Sequence, residues 1–286
     1  MLGRVLIVAG SDSGGGAGIQ ADIKTVTCLG GFAATAVTAL TAQNTLGVHG
    51  ISEIPPGFVR RQMEVVLSDI GADCVKTGML ASAAIVEAVA DTLAEFAPGV
   101  PLVLDPVMVA KGGAALLADS AAGALKSRLL PMARLLTPNI PEAEVLLGRA
   151  IVTPDEMERA ARDLLAMGPQ AVLLKGGHLE GDDLVDVLAE AGRITRFSGR
   201  RIVSRSTHGT GCTLASAIAT GLAQGLSLVD AVARGREYVR EAIRTAPGLG
   251  GGHGPLNHGH TARPDDWRIA PESGQGHGSG PGSPPA

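Results

Sequence analysis

Thr207-His208-Gly209-Thr210-Gly211-Cys212-Thr213 is the stretch that decides how this chain folds. Upstream, Ser204, Ser206 and Thr207 end a strand-like run. Downstream, Leu214, Ile218 and Leu222 recur at helical spacing, so the seven residues read as a turn that opens a helix. Cys212 then falls in the first helical turn, where unpaired N–H groups and the positive end of the helix dipole stabilise anions and lower a thiol's pKa. Two glycines let the backbone approach an anion as no side chain would. The stretch therefore points to phosphate transfer beside a thiol. An ordinary glycine-rich helix start over a buried, inert cysteine has the same local pattern, and the rest of the chain must decide between the two.

Working outward, apolar runs of strand length alternate with longer amphipathic segments in a βαβ rhythm. Strands are expected at 4–9, 33–39, 73–77, 101–105, 133–137, 170–175, 183–189 and 193–198. Helices are expected at 17–29, 57–69, 82–96, 120–129, 141–147, 154–167, 210–224 and 228–245. Gly30-Gly31 closes the first helix, Thr153-Pro154 opens a later one, and Gly192 marks a hairpin between the last two strands. The chain has 286 residues, 45% hydrophobic but only 2% aromatic, so its core must be Ala, Val, Leu and Ile, which suits helices packed on a parallel sheet. One doubly wound domain is expected over residues 1–260. Residues 261–286 are expected as a disordered tail, because Pro, Gly, Ser and polar residues bury too little apolar surface to offset chain entropy.

Charge and cysteine usage exclude several classes. The 24 basic and 28 acidic residues give a net charge of -4 with no basic run to track a phosphodiester backbone, so no nucleic-acid partner is expected. Cys28, Cys74 and Cys212 are too scattered for a disulfide framework or a CxxC metal site and fit a reducing cytoplasm; Cys28 and Cys74 read as core residues. No apolar run reaches membrane-spanning length, and no export signal precedes the strand at Arg4, so a soluble cytoplasmic protein is expected.

In an open parallel sheet, ligands bind beyond the carboxyl ends of the strands. The segments that follow the strands are polar: Gly10 to Asp22, Thr41-Ala42-Gln43-Asn44-Thr45, Lys76-Thr77-Gly78-Met79, Asp105-Pro106-Val107-Met108, Thr137-Pro138-Asn139 with Glu142, and Lys175-Gly176-Gly177-His178. The first glycine cluster does not fit G-x-G-x-x-G with its usual acidic partner, and no G-x-x-x-x-G-K-[ST] occurs, so neither a dinucleotide fold nor a P-loop is indicated. Asp105 and Glu142 are hard oxygen ligands suited to a hydrated Mg²⁺ bridging nucleotide phosphates, or alternatively a cap and a surface acid. Lys175 ends an apolar run and can neutralise phosphate oxygens, and Lys76 has a similar setting; either can equally be structural. Asp12 and Asp22 read as helix caps or solvated acids, Gln43 and Asn44 as turn residues or substrate contacts, and Met79, Val107 and Met108 as core or pocket lining. His178 and His208 read as groups that help orient phosphates or, more simply, as solvated loop histidines.

Seven ordered blocks, from Ala9-Gly10-Ser11-Asp12 through Thr41 to Thr45, Lys76 to Leu80, Leu104 to Met108, Thr137 to Glu144, Leu174 to His178 and His208 to Thr213, resemble the hydroxymethylpyrimidine/phosphomethylpyrimidine kinases of thiamine biosynthesis. The resemblance runs from about residue 4 to residue 258, and seven blocks in order are far more specific than any one. It implies a ribokinase-like three-layer α/β/α sandwich around a mostly parallel sheet, usually homodimeric, acting with ATP and Mg²⁺. It also implies that 4-amino-5-hydroxymethyl-2-methylpyrimidine is phosphorylated to its monophosphate and then to the diphosphate. By the same match Gln43 reads the aminopyrimidine edge, and Gly10, Asp22, Met79 and Val107 line its pocket. Asn139, Lys175 and Thr210 meet ATP, Asp105 and Glu142 occupy the metal and phosphate region, and Gly209 to Cys212 form the anion hole with Cys212 beside the attacking hydroxyl.

Two departures qualify the resemblance. Sugar kinases of the superfamily usually carry Gly-Ala-Gly-Asp where this chain has Gly-Thr-Gly-Cys, so a thiol stands where a carboxylate would accept the proton. Gly259 replaces a larger, often aromatic residue after Gly254-Pro255-Leu256-Asn257-His258, which is expected to loosen the packing there. The nearest competing reading is a cysteine-type pyridoxal kinase, whose substrate is also a nitrogen heterocycle with a hydroxymethyl group. A non-catalytic binder of a thiamine precursor is the remote one.

Overall fold

A computed structural model describes residues 2–108, 119–179 and 181–262 of the chain. Its centre is one nine-stranded sheet. The strands in chain order are β1 (Arg4–Asp12), β2 (Phe32–Asn44), β3 (Gly47–Glu53), β4 (Cys74–Thr77), β5 (Leu102–Leu104), β6 (Leu135–Leu136), β7 (Ala171–Leu174), β8 (Asp183–Glu190) and β9 (Arg193–Arg200). They lie in the order β3-β2-β1-β4-β5-β6-β7-β8-β9, with β2 through β7 parallel and antiparallel ribbons at both edges.

Alternation along the strands builds two cores. In β1, Leu6 and Val8 face one layer while Val5, Ile7 and Ala9 face the other; in β7, Val172 and Leu174 oppose Ala171 and Leu173 in the same way. On the first face pack α2 (Pro56–Asp69), α3 (Ala83–Phe96), α5 (Ile140–Leu147) and α6 (Pro154–Leu165), through residues such as Met63, Val89, Ala143 and Leu164. On the second lie α1 (Gly18–Cys28), α7 (Thr210–Ala223) and α8 (Leu228–Arg244), through Val26, Ile218 and Val232. This is the expected three-layer α/β/α sandwich of ribokinase-like type. Small residues permit it: Gly221 faces Ala231, where an added Cβ would come within 2.8 Å, so α7 and α8 pack close together.

Three expectations need correction. β2 runs on to Asn44, and β3, which was not expected, returns along it, so Thr41-Ala42-Gln43-Asn44 is strand rather than loop. The sequence Gly-Val-His-Gly-Ile-Ser-Glu has no apolar face to bury, and pairing across the turn at Thr45-Leu46 makes it a strand. The helix expected at 120–129 is α4 (Asp119–Ala124), followed by a π turn at Leu125–Leu129 and a 3-10 turn at Leu130–Met132, where Pro131 cannot continue the α ladder. The expected tail boundary falls inside a 3-10 turn, His258–Thr261, in which Thr261 Oγ1 donates to the Cys28 carbonyl at 2.8 Å; the rest of that tail, from 263, lies outside the described residues.

The turn around Gly259 is held firmly: Tyr238 Oη donates to the His258 carbonyl at 2.6 Å, and Thr213 Oγ1 lies 3.0 Å from the buried His258 Nε2. Burial lowers the His258 pKa to about 4, which keeps the ring neutral. Cys74 is in the core as expected, and Cys28 is half-buried.

Candidate active site

The carboxyl ends of β1, β2, β4, β5, β6 and β7 converge with the N-terminus of α7 on a cavity of about 610 Å³. A second cavity of about 630 Å³ lies toward β9 and α8, and the two share Asn139, Lys175, His178, Thr207, Thr210 and Gly211 in their walls. A ligand in each would meet its neighbour at Lys175 and the α7 N-terminus.

The α7 N-terminus is built for that meeting. Gly209 is the N-cap with φ +83° and no side-chain capping bond, so the first-turn N–H groups of α7 have no partner within the helix. Glycine is obligatory here because a Cβ would stand 1.8 Å from the Gly16 carbonyl oxygen. At Gly211 the backbone is unconstrained, but a Cβ would lie 3.3 Å from Lys175 Nζ and 3.8 Å from Asp105 Oδ2, filling the space between turn and lysine. Thr210 Oγ1 is 3.3 Å from the Thr207 carbonyl and its residue lines both cavities.

Opposite the turn, Lys175 Nζ lies 3.1 Å from Asp105 Oδ1, which also accepts from Thr137 Oγ1 at 3.2 Å. Burial works against the Lys175 ammonium, yet the Asp105 and Glu142 carboxylates more than offset it and raise its pKa. Asn139 and Glu142 form a capping box on α5: Asn139 Oδ1 accepts from the Glu142 N–H, and Glu142 Oε2 accepts from the Asn139 N–H. Burial pushes the Glu142 carboxyl up to about 7, against the pull of Lys175.

Cys212 sits in the first turn of α7 as expected, but its predicted acidity is wrong. Burial pushes the thiol up to about 12; Lys76 pulls it down, while Asp22 and Asp105 push it further up. The helix dipole is outweighed by desolvation and two carboxylates, so the resting group is a thiol.

The first glycine loop is organised by Asp12, which is 2% exposed and neither a helix cap nor solvated. It accepts from the Gly14, Gly16 and Ala17 N–H groups at 2.8, 3.1 and 2.8 Å, and His208 Nε2 lies 2.8 Å from its Oδ2. Burial opposes ionisation, but His208 and these N–H groups hold its pKa below the ordinary value. His208, expected as a solvated loop residue, is wedged between Asp12 and Gln43, whose amide nitrogen is 3.2 Å from the ring.

Gly10, Met79 and Val107 line the first cavity with Gln43, as the resemblance implies. Asp22 does not. It is fully buried behind the wall, where its Oδ2 is 2.8 Å from Lys76 Nζ and its Oδ1 accepts from Ser216 Oγ at 2.7 Å. Burial works against the Lys76 ammonium, but the Asp22 carboxylate, with Asp105, outweighs it and raises its pKa, so Lys76 remains charged. Sequence reasoning missed the Asp12–His208 and Asp22–Lys76 pairs. The only signal for the second was the recurrence of Lys-x-Gly after two strands.

Among the described residues, no group of three or more His, Cys, Asp or Glu is placed to hold a metal ion. Asp105 and Glu142 flanking Lys175 fit a different case, an Mg²⁺ that arrives on nucleotide phosphates and takes only one or two protein carboxylates.

A doubly wound sheet whose rim sets an anion-binding helix terminus against a lysine–carboxylate group, with cavities on either side, defines a kinase that acts on a small molecule. A family model described as phosphomethylpyrimidine kinase matches residues 12–257. The chain is 57% identical over 256 residues to the thiamine biosynthesis bifunctional protein ThiED of Geobacter sulfurreducens, covering 90% of this chain and about half, 52%, of that longer protein. It is 51% identical over 255 residues to the hydroxymethylpyrimidine/phosphomethylpyrimidine kinase of Streptomyces coelicolor, covering 89% and 94% of the two chains. The pyridoxal kinase of Staphylococcus aureus in complex with AMP-PCP and pyridoxal superposes with a TM-score of 0.84 at 32% identity, covering 92% and 96%. The chain belongs to the phosphomethylpyrimidine kinase family.

Proposed function

We propose that this protein transfers phosphate from ATP to 4-amino-5-hydroxymethyl-2-methylpyrimidine and then to the resulting monophosphate, forming the diphosphate. The observation that carries the reading is the placement of the α7 anion turn and Lys175 where a cavity containing Gln43, Gly10, Met79 and Val107 meets a second cavity. The heterocycle occupies the first, with its amino edge at Gln43. The nucleotide occupies the second, with Asn139, Lys175 and Thr210 at its phosphates.

In the first transfer the hydroxymethyl oxygen attacks the γ-phosphorus, the bond to ADP breaks, and the hydroxyl proton leaves. Lys175 and the first-turn N–H groups neutralise the charge that spreads over the transferring group, which is the largest part of catalysis in such a reaction. Cys212 sheds its own thiol proton to solvent before it can act, and the thiolate so formed takes the hydroxyl proton as the new bond to phosphorus forms. Asp105 and Glu142 would hold Mg²⁺, which would offset the charge of the nucleotide phosphates. The cation–carboxylate set therefore needs nucleotide to complete it.

The same reading carries a single kinase domain over residues 1–260, a cytoplasmic location and a homodimer. Three free cysteines fit a reducing compartment, no described helix is long and apolar enough to cross a membrane, and the β2–β3 ribbon exposes Leu40, Leu46 and Ile51 for a second copy. The backbone likeness to a pyridoxal kinase supports a second reading, but relatives at about 50% identity bear the pyrimidine kinase name and the pyridoxal kinase stands at 32%. Mass detection of products from Mg-ATP with the hydroxymethylpyrimidine, its monophosphate and pyridoxal decides between them. Diphosphate from both pyrimidines is the expected result, whereas pyridoxal phosphate alone would transfer the assignment to pyridoxal.

A further inference from the structure

Two lysines stand in the wall of the first cavity, and no arginine lines it among the described residues. Lys175 faces the junction with the second cavity. Lys76, at the end of β4, has no part in the transfer described so far. Its side chain and that of Asp22 are both 0% exposed, with Nζ 2.8 Å from Oδ2, and Ser216 Oγ holds the other carboxylate oxygen at 2.7 Å. A buried ion pair pays a desolvation penalty that well-packed apolar residues of the same volume avoid, so it is a weak device for stability alone.

Its position is specific. The cavity wall brings Lys76 together with Cys212, Asp105 and Gly78, at the reacting end. Lys76 Nζ is shielded from solvent, and a Cβ on Gly78 would sit 3.0 Å from it, so on that side a bare glycine with no side chain lies against the ammonium. Asp22 and Ser216 hold the lysine from behind.

The two transfers make different electrostatic demands. The first acceptor is a neutral hydroxymethyl group that must lose a proton. The second is a phosphate monoester carrying roughly -1.5 to -2 charges near neutral pH. Its ionised oxygen attacks the γ-phosphorus directly, the bond to ADP breaks, and no proton has to be removed. The second step thus needs less from a base and more from a fixed positive charge at the acceptor. Lys175, paired with Asp105 and turned toward the nucleotide phosphates, is common to both steps.

We propose that Lys76, positioned by Asp22 and Ser216, supplies the positive charge that holds the acceptor phosphate, and so sets the rate of the second phosphorylation relative to the first. The inference rests on the two-step reading above. Because Lys76→Met alone strands a buried carboxylate and can fail to fold, the decisive protein is the Lys76→Met/Asp22→Asn double variant, which removes both charges. Its kcat/KM for the hydroxymethylpyrimidine and for the monophosphate are measured in parallel with wild type, together with ATP affinity and the melting midpoint. The monophosphate step is expected to fall ~10- to 100-fold more than the hydroxymethyl step, with ATP affinity little changed, as for a lost charge contact to a phosphate. Equal losses in both steps, or no loss in the second, overturn the assignment and leave the pair a structural element. Wild-type protein that makes no diphosphate would instead overturn the two-step reading itself.

Discussion

His208 Nε2 lies 2.8 Å from Asp12 Oδ2, joining the loop after β1 to the turn before α7 across 196 residues of sequence. The same carboxylate gathers three N–H groups of the glycine loop, so one buried acid holds together two segments that line the first cavity.

Asp12→Asn is therefore expected to cost about 1–3 kcal/mol of stability at neutral pH, the scale for losing charge-assisted bonds at a buried site. Because the folded Asp12 pKa is depressed, its contribution is present above the ordinary carboxylate value of 3.8 and disappears as pH falls through the lower folded value. Urea denaturation of wild type and variant should differ at pH 7 and converge at the acid end. A constant gap would show that ionisation of Asp12 plays no part.

Cys212→Ala is expected to slow the hydroxymethyl step by ~10²- to 10⁴-fold with nucleotide binding largely retained. The monophosphate step, which has no proton to remove, should suffer less. Separate turnover measurements with each pyrimidine test this, and near-normal first-step turnover would remove Cys212 from proton transfer. With burial pushing the thiol up to about 12, alkylation of Cys212 in the nucleotide-free protein should stay slow at pH 7–8.

Glu142 titrates at about 7 in the fold against an ordinary 4.5. A raised carboxylate favours folding most when protonated: its contribution is full below pH 4.5 and is lost as pH rises through about 7. Glu142→Gln, which keeps the acceptor for the Asn139 N–H, should match wild type in melting near pH 5. At pH 8 it should exceed wild type by up to roughly 3 kcal/mol. It should at the same time bind Mg-ATP more weakly, and calorimetric titration reads that loss. Equal stability at pH 8 would mean that burial does not penalise the carboxylate.

Gly209→Ala and Gly211→Ala separate folding from chemistry. The first forces a Cβ to within 1.8 Å of the Gly16 oxygen at φ +83° and should destabilise the protein by ~3 kcal/mol or more. The second has ordinary backbone and only crowds Lys175 Nζ at 3.3 Å, so it should fold normally and lose turnover. Melting curves beside initial rates distinguish them, and a Gly211→Ala protein of normal activity would place the transferring phosphate elsewhere.

What was legible in the sequence was local in origin. Alternating β and α periodicity predicted every parallel strand and the helices that flank them, because side-chain direction repeats with the backbone. Gly209, Gly211 and Cys212 were placed at a helix start because a turn's requirements are met within a few residues. β3 was missed because its residues bury no face and become a strand only through pairing with β2.

The charge states belonged to the tertiary structure. Local sequence put Cys212 at a helix terminus and predicted an acidic thiol; the assembled site surrounds it with Asp22 and Asp105 and withdraws water, reversing the direction. Asp22 and Lys76 are 54 residues apart, and Asp12 and His208 are 196, so no periodicity or spacing relates them. The sequence by itself determined the parallel strands, the helices that flank them, their layering and the glycine turn that opens α7, since these follow from short-range geometry and hydrophobic pattern. Which ions are paired, which are protonated and which face the substrate was decided only by folding, because desolvation and Coulomb energy depend on what the whole chain brings within a few ångströms.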